Sequence, residues 1–172
     1  MKIYLSGDHA GFKLKEKIKS WLRNEYGKNF YNSPGWAGGL RDNSRKNSSI
    51  EIEDFGPLEY NEKDDYPDFV IPMAREIVKN KNSKGIIIAG SGQGESIATN
   101  KLKGIRAGLY HGGSTKIVKT GRAHDNINIL CLGSRFASEK EAKKAIKSFL
   151  ETPFNKGRHS RRLNKLKHLG SK

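Results

Sequence analysis

The chain is 172 residues long and has a single cysteine, Cys131, no long apolar run, and few acids against many bases. Each shortage excludes something. One thiol cannot close an intramolecular disulfide, so disulfide-stapled secreted scaffolds are excluded. A reducing, cytoplasmic location is expected instead. Cys131 sits within Ile127-Asn128-Ile129-Leu130-Cys131-Leu132, where a small buried core residue is the natural reading. No segment has the apolar length of a membrane span, and Met1-Lys2-Ile3-Tyr4-Leu5 leads straight into Ser6-Gly7-Asp8 without a signal-peptide pattern. No internal repeat, zinc-ligand spacing or RNA-recognition motif is present. Hydrophobic content is 34% and mean hydropathy −0.75, so the polar excess should lie on surface helices and in one insertion. The length suits one domain with a real core.

Thirty-three Lys and Arg outweigh 18 Asp and Glu, a formal charge of +15. Such a balance suits a phosphorylated substrate or a polyanionic partner. The density peaks in a basic C-terminal tail at 156–172, with Lys156, Arg158, Arg161, Arg162, Lys165, Lys167 and Lys172 and no acid. Tails of this kind form solvated faces or make non-specific nucleic-acid contacts.

The most informative stretch is Gly90-Ser91-Gly92-Gln93-Gly94-Glu95. It follows Gly85-Ile86-Ile87-Ile88-Ala89, which reads as a buried parallel strand, and precedes a helix start at Ser96. Strand, glycine turn and helix N-terminus make a nest of backbone N–H groups that suits an anion. A carboxylate beside such a nest, here Glu95, suits proton abstraction with amide stabilisation of the oxyanion that forms. It equally suits a simple helix cap. A phosphate-binding P-loop would need Lys-Ser/Thr after the last glycine, where this chain has Glu95-Ser96. A dinucleotide fingerprint would follow the first strand, where this chain has Gly7-Asp8-His9-Ala10-Gly11.

Periodicity supplies the rest. Lys2–Ser6 reads as a strand, and Phe12, Leu14, Ile18, Trp21, Leu22 and Tyr26 mark an amphipathic helix from Ala10 to Tyr26. Residues 27–49, rich in Gly, Asn and Ser, read as an inserted loop. Strands follow at Ile50–Phe55, Gly85–Ala89, Gly104–Tyr110 and Ile127–Leu132. Helices are expected from Asp65, with Pro67 in the first turn and Pro72 as a possible kink, from Ser96, over Ser114–Ala123, and from Ser138, where Ser138 and Glu141 form a capping box. Alternating strands and helices predict an α/β fold: a Rossmann-like, three-layer α/β/α domain over 1–172 with a five-stranded, mostly parallel sheet. Asp8, His9, Ser91–Glu95, His111 and Arg135 all follow strands and can converge at their carboxyl ends.

Several stretches resemble the ribose-5-phosphate isomerase B and galactose-6-phosphate isomerase family. They are Ser6–Lys15, Asp65-Tyr66-Pro67-Asp68, Gly90–Lys101, Lys103–Ala107, His124–Asn128, Leu132-Gly133-Ser134-Arg135 and Phe149–Arg162. The resemblance implies aldose–ketose isomerisation of a sugar phosphate through an enediolate, without metal or cofactor. It implies Glu95 as the base that moves the proton between C1 and C2. Many members place a cysteine just before the glycine loop; here that position is Ala89, which puts the chain in the glutamate-using branch. Ser91 and the amides of Gly92, Gln93 and Gly94 would hold the enediolate oxygen. His124 would open the sugar ring, flanked by Asp125 and Asn126, although a histidine near a helix C-terminus is also favoured by the dipole. Asp8 would contact sugar hydroxyls or cap the first helix. His9, Arg135, Arg158 and Arg162 would clamp the phosphate. The resemblance implies dimers, or dimers of dimers, with shared sites in which His124 and Arg135 reach into the partner's crevice. The expected substrate pair is ribose 5-phosphate and ribulose 5-phosphate; galactose 6-phosphate, allose 6-phosphate or a tetrose phosphate keep the same chemistry. A basic nucleic-acid-binding protein on this scaffold is the alternative of a different class. His111, Trp36 and His168 receive no role.

Overall fold

The computed structural model describes residues 1–26, the backbone of 29–32, and residues 50–166. Among the described residues six strands form one sheet: β1 (Lys2–Gly7), β2 (Asn29–Asn32), β3 (Glu51–Asp54), β4 (Ser83–Ala89), β5 (Ala107–Tyr110) and β6 (Ile129–Gly133). Their order is β2-β3-β1-β4-β6-β5, and every pairing is parallel. The helices are α1 (Phe12–Tyr26), α2 (Pro67–Lys79), α3 (Gln93–Asn100), α4 (Lys116–Asp125), α5 (Glu139–Glu151) and α6 (Arg158–Leu166).

Alternation along each strand splits the core into two layers, as a pleat of period two requires. Ile3, Leu5, Ile86, Ile88, Leu130 and Leu132 pack under α1, α4 and α5, with Ile18, Leu22, Val118, Ile146 and Phe149. Tyr4, Ile87, Ala89, Ile129 and Cys131 face the other way, against Val70, Met73, Ala74 and Ile77 of α2. The three-layer α/β/α expectation holds. Cys131 is fully buried, as its neighbours in sequence implied. The capping box also forms: Ser138 Oγ accepts from the Glu141 amide at 3.3 Å, and Glu141 accepts from the Ser138 amide at 2.9 Å.

Two expectations are corrected. The sheet has six strands rather than five, because Asn29–Asn32, inside the span read as an inserted loop, adds a parallel edge strand to β3. Four residues with only two apolar members carry no usable alternation. The stretch Arg158–Leu166 of the basic tail is helix, with His159 buried. Pro72 lies inside α2, which runs through it to Lys79. Residues 27–28 and 33–49 of the expected insertion, with Trp36, and residues 167–172, with His168, lie outside the described residues. The inward face of α1 also carries Lys15, fully buried, whose Nζ donates to Asp54 at 2.9 Å; Lys19 meets the same carboxylate at 2.6 Å. This pairing ties α1 to the end of β3.

Candidate active site

β1, β2 and β3 lie on one side of the sheet and β4, β5 and β6 on the other, so the strand order reverses between β1 and β4. The chain leaves β1 toward α1 on one face and β4 toward α3 on the other, which opens a crevice above their carboxyl ends. The turns after both strands meet there. Asp8 Oδ1 accepts from the Gly11 amide at 2.7 Å and so caps the entry to α1. Its Oδ2 faces the Gly90 amide at 3.5 Å. Gly11 has no alternative, because a Cβ there would stand 1.9 Å from the Ile88 carbonyl oxygen.

The glycine loop follows β4. Gly92 caps α3 in the left-handed region, φ 75°, and turns the chain so that the first-turn amides of α3 face outward without intrahelical partners. Ser91 Oγ accepts from the Gln93 amide at 3.3 Å. Gly94 lies beneath Tyr66, whose ring would be 2.9 Å from any Cβ there. Glu95 sits in the first turn of α3 and is 4% exposed. Burial pushes its carboxyl above the usual range; its own amide opposes the shift, and the Asp8 carboxylate reinforces it. The helix-cap reading is thus partly realised, since the carboxylate takes its own N–H. Yet the raised pKa brings it closer to the range in which a general base works.

Cationic groups border the crevice. Arg135 follows β6; its amide donates to the Gly90 carbonyl at 3.1 Å, and its guanidinium carbon lies 3.3 Å from where a Gly90 side chain would begin. His9 is held by Asp64, with its Nδ1 2.6 Å and its amide 3.2 Å from the same Oδ1.

The remaining predicted residues do not join this cluster within one chain. His124, Asp125 and Asn126 end α4, which runs back to the amino end of the sheet, and Asn126 precedes β6. Arg158 and Arg162 lie on α6 beside them: the Asn155 amide donates to the Ala123 carbonyl at 2.9 Å, and the His124 and His159 rings stack at 4.2 Å. A strand of five to seven residues, about 17–23 Å at 3.3 Å each, separates the two groups. Within one chain His124 therefore stands apart from the crevice, whereas Arg135, expected to reach a partner's site, lies beside Gly90 of its own chain; the cause of the separation is topological, because a helix that returns to start a parallel strand must end at the other edge. Asn126 also has structural work. It ends α4 in the left-handed region, and its carbonyl accepts from Arg106 Nε at 2.9 Å.

Sequence reasoning assigned no role to four residues that the geometry singles out. Asp64 precedes the quoted Asp65-Tyr66-Pro67 stretch, and Tyr66 lies inside it. His159 stands between two predicted phosphate ligands; burial, then His124 and the flanking arginines, hold its pKa below the ordinary histidine value. His111 Nε2 lies 2.7 Å from the Ser91 carbonyl and so steadies the glycine loop. Among the described residues no cluster of three or more His, Cys, Asp or Glu is placed to hold a metal ion. No described helix is long and apolar enough to cross a membrane.

A buried carboxylate beside an amide nest, at the switch point of a parallel sheet and bordered by cations, defines an α/β enzyme for small anionic substrates. The chain belongs to the ribose/galactose isomerase family, whose sequence profile matches residues 40–166. A ribose-5-phosphate isomerase B from Mycobacterium tuberculosis is 34% identical over 95% of this chain and 86% of its own length. Among solved structures, ribose-5-phosphate isomerase B from Mycoplasma genitalium with bound ribulose 5-phosphate superposes with a TM-score of 0.78. It is 34% identical, over 96% of this chain and 93% of that one. A ribose 5-phosphate isomerase from Thermotoga maritima gives 0.79 at 34% identity, over 98% of both chains.

Proposed function

We propose that this chain is an aldose–ketose isomerase that interconverts ribose 5-phosphate and ribulose 5-phosphate through an enediolate. The observation that carries the proposal is Glu95, buried, with its pKa raised, in the first turn of α3 directly after the glycine loop. With an open-chain aldose bound, Glu95 takes the C2 proton. The electron pair forms the C1=C2 double bond, and O1 becomes an oxyanion held by Ser91 and the amides of Gly92, Gln93 and Gly94. Glu95 then returns the proton to C1 while the O2 proton passes to O1, leaving a carbonyl at C2. Asp8 holds sugar hydroxyls, and Arg135 with His9 meets the phosphate.

Ring opening and the rest of the phosphate clamp require a second copy. Its His124, Asp125 and Asn126, with Arg158 and Arg162, would lie over the crevice of the first, and a two-fold axis would complete both sites. Support comes from the sheet edge: among the described residues β5 has no further neighbour, and a groove of about 550 Å³ beside it is lined by Ile105, Leu109, Ile117, Leu163 and Leu166. Ile117 and Leu166 are 62% and 55% exposed in the single chain, more than isolated surface apolars need be. The enzyme works as a homodimer or a pair of dimers, in a reducing compartment such as the cytoplasm.

The test is an assay of purified protein on ribose, galactose and allose phosphates and a tetrose phosphate, with and without excess EDTA. The highest kcat/KM is expected on ribose 5-phosphate and should be unaffected by chelator. Activity that disappears with EDTA and returns with a divalent ion would overturn the mechanism. Preference for a hexose phosphate would reassign the substrate.

A further inference from the structure

We propose that Asp64 is a positioning residue that presents His9 Nε2 to the substrate phosphate as a hydrogen-bond donor. The inference rests on His9 being a phosphate ligand, as proposed above. A neutral imidazole has one N–H and one bare nitrogen. His9 Nδ1 lies 2.6 Å from Asp64 Oδ1, so its proton is committed to the carboxylate. In neutral His9 the other nitrogen, Nε2, would then be an acceptor and would turn a lone pair toward phosphate oxygens. Only the imidazolium donates from both nitrogens.

Asp64 favours that imidazolium. Its side chain is 4% exposed, and among the described residues its Oδ2 has no hydrogen-bond partner. A buried carboxylate with an orphan oxygen is costly unless a neighbouring cation balances it. The groups facing His9 are Asp64 from the segment before α2, Asp8 on its own turn and Arg135 after β6. The Asp64 hydrogen bond leads, opposed by burial and by Arg135, and His9 is held above the ordinary histidine value. The second bond, from the His9 amide to the same Oδ1 at 3.2 Å, fixes backbone and ring together. Second-sphere carboxylates orient metal-bound histidines in the same way; here the oriented atom faces an anion.

The sign follows directly. A raised pKa keeps His9 cationic to higher pH, so phosphate affinity should persist to higher pH than an unassisted histidine allows. Asp64→Asn keeps the shape and removes the charge. NMR titration of the His9 ring should show a lower pKa in Asp64→Asn than in the native enzyme. The KM for ribose 5-phosphate should be close to native at pH 6 and rise roughly ten-fold or more at pH 8, with kcat little changed. Inorganic phosphate, used as a competitive inhibitor, should weaken over the same pH range. Asp64→Ser serves as the second uncharged variant if Asp64→Asn does not fold. A native His9 titration, or a KM ratio independent of pH, would overturn the proposal by reducing Asp64 to a loop tether. His9→Asn separates the two levels. If it leaves KM and phosphate inhibition unchanged, His9 is no phosphate ligand and both ideas fall. If it weakens both while Asp64→Asn does nothing, only the role of Asp64 falls.

Discussion

The two ends of the sheet are built differently. At the carboxyl end the candidate groups sit on strand-ending turns and are fastened by backbone: Asp8 to the Gly11 amide, Glu95 to its own amide, Arg135 through its amide to Gly90. Glu95 and Asp8 are nearly buried. At the amino end Arg158 and Arg162 ride exposed on α6, and His124 is half-buried against His159. One end has fixed geometry and a buried carboxylate, Glu95, whose pKa is raised, which proton transfer needs. The other has long cations and stacked rings, which suit charge binding and ring chemistry. The division implies that proton transfer and substrate capture can be damaged separately; in the proposed dimer each crevice would draw on two chains.

Glu95→Gln should give the largest effect. It keeps size and hydrogen bonding but removes the base, and Ala89 and the buried Cys131 offer no substitute. Loss of general-base catalysis should lower kcat by ~10²–10⁴ with KM nearly preserved. Exchange of the C2 proton with deuterated solvent should fall in parallel; normal exchange would show that another group is the base.

Mixing two impaired variants, assayed on cyclic ribose 5-phosphate, tests whether the two ends belong to different chains. Glu95→Gln and His124→Asn protein, unfolded and refolded together, should recover about a quarter of native activity, because half the dimers are mixed and each carries one intact site. No recovery from subunits shown to exchange would place both residues in one chain's site.

Arg158→Ala and Arg162→Ala should each raise KM by roughly 10–100-fold, the range for a charged hydrogen bond, with a smaller change in kcat. An unchanged KM in the folded double variant would detach α6 from the phosphate.

His124→Asn should slow turnover of cyclic ribose 5-phosphate by roughly ten-fold more than that of open-chain ribulose 5-phosphate, less than a full general-acid contribution because rings also open unaided. Equal losses in both directions, after correction for the equilibrium constant, would remove it from ring opening.

The smallest effect is on stability. Burial raises the Glu95 pKa in the folded chain, so the fold loses stability as pH climbs from the unfolded pKa toward the folded one, and stays penalised above it. Glu95→Gln should therefore melt at a higher temperature than the native protein at pH 7, with the difference closing below about pH 4. A lower melting temperature at pH 7 would show that ionised Glu95 is well accommodated.

Much of this was legible in the sequence where signals are local. The run Ile86-Ile87-Ile88 is apolar on both faces because helices cover both faces of the sheet, and the Gly92–Glu95 turn carries its own geometry. The spacing of Ile18 and Leu22 on α1 was readable for the same reason. Other features depend on distant partners. Nothing near His9 predicts Asp64, which is 55 residues away. The α6 helix hides behind its charge, because Leu163 and Leu166 are its only aliphatic residues. That His124 ends at the wrong edge for its own crevice depends on strand direction, which no residue pattern near it encodes.

Cys131 has a practical consequence. Its thiol is fully buried on β6, and burial together with the nearby Glu95 charge pushes its pKa far up. The thiolate that alkylating agents and peroxides attack is therefore scarce and out of reach. With Ala89 at the position where relatives can carry a catalytic thiol, the folded enzyme should keep turning over in iodoacetamide or mild peroxide. Its resistance to oxidative stress would come from the placement of one side chain, with no repair system needed to restore it.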